Sequence, residues 1–308
     1  MAEKTIRIGT RDSELALWQA HTVQKQLQDL GYKTEIVAVK SDGDIILDKP
    51  LYELGITGIF TKTLDIAMIN GKVDIAVHSM KDVPTALPNG IVQAAVLERA
   101  SVLDILVYEG HVDFLHGNAT IATGSLRRQA QWWNKYPNHK VVDLRGNVNT
   151  RMQKLKDNDW NGAVFAAAGL ERINLKPDNY IDLDWMIPAP AQGAMVIVAM
   201  ENDAFTIDAV SQLNHIETEI CTYIERQFLR TLEGGCTAPI GALAIYNEQE
   251  DMIDFKGVLL SIDGKQKLKI DKKVDISEWK KLGFNSAQEI LGNGGAELMT
   301  KIKSELKK

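Results

Sequence analysis

The chain has 308 residues, of which 45% are hydrophobic and 25% charged, and its net charge at pH 7 is −6. These values exclude a disordered, collagen-like or disulfide-scaffold chain, and the acidic balance argues against a nucleic-acid-binding protein. No apolar run approaches the roughly 18–20 residues of a membrane span, and no apolar core of a secretory signal follows the N-terminus. At roughly 100–200 residues per domain, we expect two or three domains.

The first third of the chain alternates strands with helices. Strands are predicted at residues 5–11, 34–39 and 74–78. Helices are predicted at residues 15–30 and 62–70, the first of them capped by Asp12 or Ser13. Alternation of this kind predicts a largely parallel α/β sheet.

A second α/β pattern starts near residue 119. Strands are predicted at residues 119–122, 141–144 and 162–167, with helices from Leu126 and over residues 148–156. In both halves a strand leads through a Gly/Ser turn to a helix N-terminus, where free N–H groups favour an anion. From about Ile216, one helix (217–232), three strands (241–246, 252–260 and 267–274) and a last helix (286–303) predict a separate α+β domain.

Five of the ten arginines fall in one short part of the chain: Arg127, Arg128, Arg145, Arg151 and Arg172. The guanidinium group is a planar fork of donors that matches carboxylate or phosphate. An acidic protein that concentrates arginine in this way is predicted to bind a polyanion there. The alternative is that each arginine is a solvated surface residue.

Two loops carry further reactive groups. Ser79, Lys81 and Asp82 follow a predicted buried strand, so a hydroxyl, a cation and a carboxylate lie where α/β sheets bind ligands, although an ordinary polar turn is the alternative. Cys236 stands in a glycine-rich loop without a CxxC spacing or a nearby histidine, so we expect no metal site. Cys221 has helical spacing and is expected to be buried. Two cysteines are too few for a disulfide framework, which favours a cytoplasmic location.

Six motifs in order make the chain similar to the porphobilinogen deaminase (hydroxymethylbilane synthase) family over nearly its whole length. They are Gly9-Thr10-Arg11-Asp12-Ser13-Glu14-Leu15-Ala16-Leu17-Trp18-Gln19-Ala20, Asp74-Ile75-Ala76-Val77-His78-Ser79-Met80-Lys81-Asp82-Val83-Pro84, Gly124-Ser125-Leu126-Arg127-Arg128-Gln129, Leu144-Arg145-Gly146-Asn147-Val148-Asn149-Thr150-Arg151, Ala168-Gly169-Leu170-Glu171-Arg172 and Leu232-Glu233-Gly234-Gly235-Cys236.

The resemblance implies the fold and the reaction. The expected fold is two α/β domains like those of periplasmic binding proteins with a third, small α+β domain. The expected boundaries are 1–98 plus 192–213, 99–191 and 214–308. The expected enzyme is a transferase of haem biosynthesis that removes ammonia from porphobilinogen and joins four units head to tail onto a dipyrromethane cofactor. Hydrolysis then releases the linear hydroxymethylbilane.

The resemblance also implies residue roles. Cys236 carries the dipyrromethane through a thioether, and Asp82 and Lys81 are the catalytic residues. The cofactor-binding residues are then Cys236, Ser79, Lys81, Asp82, Thr123, Ser125, Arg127, Arg128 and Arg151. The substrate-binding residues are Arg11, Ser13, Arg145, Arg172 and Gln192. Each pyrrole bears two carboxylates, which accounts for the arginines, and the Asp82 carboxylate stabilises the cation left when ammonia departs.

A few positions depart from the family pattern. The loop that commonly reads Gly-Gly-Lys-Gly-Leu-Phe has Thr57 at the lysine position, and Glu53 replaces a second lysine. We therefore expect residues 41–60 to form a lid that acts mainly by excluding water. Ala100-Ser101 replaces an acidic pair, and Ala191-Gln192-Gly193 stands where Gly-Gln-Gly is usual.

Two other functions remain as alternatives. A solute-binding module could share this α/β architecture, but it would need neither the loop cysteine nor a third domain and would be expected to carry a signal peptide. A metabolic enzyme with a phosphate ligand is the other alternative. For the deaminase we expect porphobilinogen as substrate, a monomer, and neither nucleic-acid nor membrane partners.

Overall fold

The structure is a computed structural model that describes residues 4–39, 61–232 and 238–306. Glu53, Thr57 and the rest of the expected lid, and also Cys236, lie outside the described residues. No helix among the described residues is long and apolar enough to span a membrane.

The described residues form thirteen strands and nine α-helices. The strands are β1 (Ile6–Arg11), β2 (Thr34–Val39), β3 (Ile75–Ser79), β4 (Ile91–Val96), β5 (Asp104–Tyr108), β6 (Thr120–Ala122), β7 (Lys140–Val142), β8 (Gly162–Ala166), β9 (Tyr180–Asp182), β10 (Met195–Met200), β11 (Ile240–Asn247), β12 (Met252–Leu260) and β13 (Lys267–Asp275). The helices are α1 (Glu14–Asp29), α2 (Lys62–Ile69), α3 (Leu126–Lys135), α4 (Val148–Asp157), α5 (Ala167–Arg172), α6 (Ala204–Ser211), α7 (Ile216–Thr231), α8 (Trp279–Ile290) and α9 (Ala296–Glu305).

Two five-stranded sheets share one topology. The first has the order β2-β1-β3-β10-β4 and the second β7-β6-β8-β5-β9. In each sheet the first three strands are parallel, while the fourth is antiparallel to both of its neighbours. The three strands predicted in each sheet are therefore parallel, as expected. β5 and β10, where the chain crosses between the domains, run against the strands beside them.

The two crossover segments meet at Gly193. The Ala100 N–H donates to the Gly193 carbonyl at 3.2 Å. A Cβ atom at Gly193 would lie 2.6 Å from the Ala100 carbonyl oxygen and 2.7 Å from that of Ser101, and the residue has a φ of +86°. Only glycine tolerates both the close approach and this backbone conformation.

The third domain is a three-stranded antiparallel sheet, in the order β11-β12-β13, packed against α7, α8 and α9. Phe228 of α7 packs edge-on against Phe255 of β12, with ring centroids 5.4 Å apart. The expected fold class of two α/β domains and a small α+β domain is confirmed. The single helix predicted for residues 286–303 is wrong, because the backbone kinks over Leu291–Gly295, where Gly294 has a φ of +95°.

Candidate active site

The N-terminal ends of helices from the two α/β domains face each other across a cleft. Asn149 Nδ2 of α4 donates to Glu14 Oε2 of α1 at 2.7 Å. The guanidinium of Arg172, at the end of α5, lies 5.6 Å from the centre of the Trp18 ring on α1. The loops that follow β1, β3, β6, β7 and β8 therefore converge on one site, as expected for the carboxyl ends of parallel strands.

A single 3₁₀ turn, Met80–Asp82, presents Lys81 and Asp82 at the end of β3. The Met80 N–H donates to the Ala194 carbonyl at 3.0 Å, which ties the turn to the start of β10. Just before it, the Ser79 hydroxyl accepts from Gln19 Nε2 at 2.8 Å. Lys81 and Asp82 are both partly buried, so their charges act in a medium less polar than bulk water.

Lys81 lies among charges of both signs. Its Nζ atom is 3.3 Å from Gln192 Oε1. Burial and the neighbouring Arg128 charge lower the pKa of Lys81 to about 8, although Asp82 and Asp104 oppose that shift. A lysine in this state can lose its proton near neutral pH.

Asp104, the first residue of β5, connects Arg127 and Arg128. The sequence does not single it out as a site residue. Its carboxylate accepts from Arg127 Nη1 at 2.7 Å, Arg128 Nε at 2.8 Å and Gln192 Nε2 at 3.0 Å. Burial raises the pKa of Asp104, but the Arg127 and Arg128 charges outweigh this effect and hold it well below its usual range. The available signal was an aspartate that opens an otherwise apolar strand.

Arg127 and Arg128 are buried and bind protein atoms besides Asp104. Arg127 Nη1 also donates to the Ile187 carbonyl at 2.8 Å, and Arg128 Nη1 to the Val164 carbonyl at 3.0 Å. Arg127 Nε is buried and has no partner among the described residues. One donor of this pair therefore remains for a ligand.

Gln192 is fully buried between the two domains. Besides its contacts with Lys81 and Asp104, its Nε2 donates to the Val102 carbonyl at 2.8 Å. Both ends of the amide therefore have protein partners. This geometry favours a supporting role for Gln192 over the direct substrate contact that the family resemblance implies.

The loop after β6 and the loop after β7 lie side by side. A Cβ atom at Gly124 would be 2.5 Å from the Leu144 carbonyl oxygen, so only glycine permits this approach. The contact brings Thr123 and Ser125 near Arg145. Thr123 is buried, and Ser125 stands at the N-cap of α3, where its hydroxyl does not cap the helix.

Arg145 and Arg151 complete this side of the cleft. Arg151 Nε donates to the Gly146 carbonyl at 2.7 Å. Burial and the Arg128 charge lower the pKa of Arg151 to about 10, while Asp82 opposes the shift. Burial also lowers the pKa of Arg145. A negative group bound beside them would oppose these shifts, because it would favour both charged forms.

The opposite side of the cleft carries Arg11 and Ser13. Arg172 lies beside Gly193, where the crossover segments meet. Arg11 ends β1, and burial together with the Arg11 charge lowers the pKa of the adjacent buried His78 to about 4. Ser13 is the N-cap residue of α1, but contrary to expectation its hydroxyl does not cap the helix. Arg172 Nη2 donates to the Gly193 carbonyl at 2.7 Å, and burial lowers the pKa of Arg172 to about 10.

Positive charge exceeds negative charge in the cleft. Burial lowers the pKa of Lys81, Arg127, Arg145, Arg151 and Arg172. The carboxylates that act on these groups belong to Asp82, Asp104, Asp143 and Glu171. Among the described residues, Asp104 forms a buried ion pair there with both Arg127 and Arg128. A ligand that carries several carboxylates would fit this site, because it would supply the missing charge.

The third domain is anchored to the two crossover segments through Glu225 of α7, another residue that the sequence does not single out. Its fully buried carboxylate forms a bidentate pair with Arg99 at 2.7 and 2.9 Å. It also accepts from the N–H groups of Ala191 and Ala244 at 2.6 and 2.8 Å. One side chain thus connects both crossover segments to β11.

Cys221 is buried in α7, as the sequence predicts. Burial and the nearby Glu225 carboxylate raise the pKa of its thiol to about 11. A thiol in this state is a poor nucleophile, since the thiolate is the reactive form.

Comparison with known families gives two matches that together cover most of the chain. A model described as porphobilinogen deaminase, dipyromethane cofactor binding domain, matches residues 6–208. A model described as porphobilinogen deaminase, C-terminal domain, matches residues 219–292.

Individual proteins agree with these matches. The chain is 39% identical over 310 residues to a porphobilinogen deaminase of Desulfitobacterium hafniense, covering 99% of each chain. It is 42% identical over 276 residues to a probable porphobilinogen deaminase of Methanocaldococcus jannaschii, covering 87% of this chain and 94% of that one. Among solved structures, an ancestral cationic amino acid solute binding protein is 16% identical, with a TM-score of 0.44 over 68% of this chain and 87% of that one.

Proposed function

The chain belongs to the porphobilinogen deaminase family, and from that premise we propose which of its residues bind, position and react. It is a transferase of tetrapyrrole biosynthesis that uses a dipyrromethane cofactor. Porphobilinogen is its substrate, and hydroxymethylbilane is the product. The residue roles rest on one observation: buried cations in excess surround the partly buried Asp82 carboxylate in the cleft.

Asp82 is the proposed catalytic carboxylate. Loss of ammonia from the aminomethyl arm of porphobilinogen leaves a cation whose charge extends to the pyrrole nitrogen. A fixed carboxylate near that nitrogen stabilises the charge as it develops, and it can accept a pyrrole N–H hydrogen bond before and after the step. Lys81, the proposed second catalytic group, can hold or release a proton beside it.

The arginines are the proposed anchors for the carboxylates of cofactor and substrate. The cleft fits a cofactor with four carboxylates, because burial lowers the pKa of several of its cations and Arg127 Nε is unpaired among the described residues. When bound, the dipyrromethane supplies the pyrrole carbon to which the first substrate unit is joined. Arg127, Arg128 and Arg151 would hold it, with Ser79, Thr123 and Ser125 as hydroxyl donors, and Cys236 would carry the thioether.

The proposed assembly is a cytoplasmic monomer without nucleic-acid or membrane partners. The acidic net charge of −6 supports the absence of a nucleic-acid partner. The proposed domain boundaries are 1–98 plus 192–213, 99–191 and 214–308. Porphobilinogen consumption by the purified protein tests the activity, and its mass in solution tests the monomer. Its intact mass tests the covalent cofactor, which a mass without two added pyrrole units would contradict.

The arginines are expected to divide into two groups when each is changed to glutamine. Arg127, Arg128 and Arg151 variants should be isolated without cofactor or acquire it slowly, because each charge-assisted bond contributes about 1.5–3 kcal/mol. Arg11, Arg145 and Arg172 variants should keep the cofactor and accumulate partly extended chains. Intact-mass spectra after addition of porphobilinogen distinguish the two results.

Two controls accompany that series. Arg230→Gln changes an exposed arginine of α7 and should leave the spectra unchanged. Thermal unfolding of the Arg127 and Arg128 variants is also needed, because each change removes a partner of the buried Asp104, at a cost of about 3–5 kcal/mol. Loss of cofactor from all six variants alike would contradict the division.

Cofactor acquisition is expected to depend on the charge of Lys81. Because the pKa of Lys81 in the protein without ligands is about 8, its ammonium is lost as pH rises above that value. Acquisition by apoprotein should then slow by up to about tenfold per pH unit. Lys81→Arg should remove this decline, since guanidinium stays protonated. The rate of mass gain of the wild-type and Lys81→Arg apoproteins, measured between pH 7 and 9.5, tests this expectation. Identical pH profiles for the two proteins would refute the role of the Lys81 charge.

A further inference from the structure

Arg226 of α7 extends from the third domain to the backbone that carries Lys81 and Asp82. Its Nη1 donates to the carbonyls of Met80 and Val83 at 3.2 and 2.9 Å. Its Nη2 donates to the Pro84 carbonyl at 2.7 Å. The three acceptors lie on both sides of Lys81 and Asp82 in the sequence.

The turn has little internal support of its own. It is three residues long, and the Val83 N–H closes it on the Met80 carbonyl at 3.2 Å. So short a 3₁₀ segment cannot satisfy its own carbonyls, and its hydrogen-bond geometry is poor. Charge-assisted bonds from a planar guanidinium are both stronger and more directional than neutral ones. Besides the bond from the Met80 N–H to Ala194, this backbone is therefore supported by a donor from another domain.

These Arg226 contacts are with main-chain oxygens. We propose that Arg226 is a positioning residue, which holds the Met80–Asp82 turn so that the Asp82 carboxylate meets the reacting pyrrole. The proposal rests on the catalytic role proposed above for Asp82. In the sequence, α7 ends five residues before Cys236, the proposed attachment residue.

The first test compares Arg226→Gln with Arg230→Gln, the same change at an exposed position one turn further along α7. Displacement of a reacting group by about 1 Å can cost roughly 100-fold in rate. We expect Arg226→Gln to lower kcat by about 10- to 100-fold, with KM for porphobilinogen changed less than about threefold. The cofactor mass should be retained. A kcat equal to that of Arg230→Gln would overturn the proposal.

The second test asks whether Arg226 acts through Asp82. In an Asp82→Asn background, Arg226→Gln should lower kcat by less than about threefold more, because coupled residues are not additive. If Arg226→Gln causes its full loss in that background, the route through Asp82 is refuted. If Asp82→Asn alone turns over normally, the catalytic role of Asp82 fails on its own measurement, and with it this proposal.

Hydrogen exchange supplies a readout independent of turnover. Amides of residues 78–86 should exchange faster in Arg226→Gln than in Arg230→Gln, while those of β12 should not change. Arg226→Lys keeps the charge but not the fork, so we expect it to recover part of kcat. If Arg226→Gln does not fold, the same double-mutant cycle is made with Arg226→Lys, and a wild-type kcat for that variant with unchanged exchange at residues 78–86 would overturn the proposal.

Discussion

Asp82→Asn should keep the fold and the cofactor but lose most of its turnover. The change removes a charge without altering the size of the side chain. One preorganised electrostatic group contributes roughly 3–4 kcal/mol to transition-state stabilisation, so kcat should fall by about two to three orders of magnitude. Steady-state rates of porphobilinogen consumption, with intact mass to confirm the cofactor, measure the effect.

The matched control for Asp82 is Asp143→Asn. Asp143 is an exposed carboxylate of the loop after β7 that also acts on the charge of Arg151. Asp143→Asn should lower kcat far less than Asp82→Asn does, because the Asp143 charge lies outside the Met80–Asp82 turn. A near wild-type rate for Asp82→Asn, or an equal loss for Asp143→Asn, would contradict the catalytic assignment.

Cys236→Ser should abolish tetrapyrrole synthesis, because serine does not replace the thioether sulfur. The purified variant should lack the added mass of two pyrrole units. Cys221→Ala is the control, since the Cys221 thiol is buried with its pKa raised to about 11. It should keep both cofactor and activity. A Cys221 variant that lacks the cofactor would reverse the assignment.

The sequence predicts the local features of the site because strand ends and glycine turns are local signals. Five of the site residues lie at, or just after, the ends of strands that the sequence predicts: Arg11, Ser79, Lys81, Asp82 and Arg145. The structure brings them to one cleft. Local signals say little about partners distant in the chain. The pairing of Arg128 with Asp104 and of Arg99 with Glu225 joins residues 24 and 126 positions apart.

The same limit explains the errors in the fold. β5 and β10 are apolar on both faces, so period-two alternation is absent and the sequence does not reveal them as strands. Their antiparallel direction follows from the path of the chain between domains, which composition does not encode. The kink between α8 and α9 could have been predicted, since Gly292, Gly294 and Gly295 stand close together.

The meeting of both crossovers at Gly193 gives the molecule a fulcrum. In a rotation of one α/β domain against the other, atoms are displaced in proportion to their distance from that point. Gln192 and the carboxylate of Glu225 lie beside it and would hardly move, whereas the contact between Glu14 and Asn149 at the helix ends would open. A small angular change can therefore admit a lengthening product at the mouth of the cleft, while the groups beside Gly193, among them Lys81 against Gln192, keep their spacing.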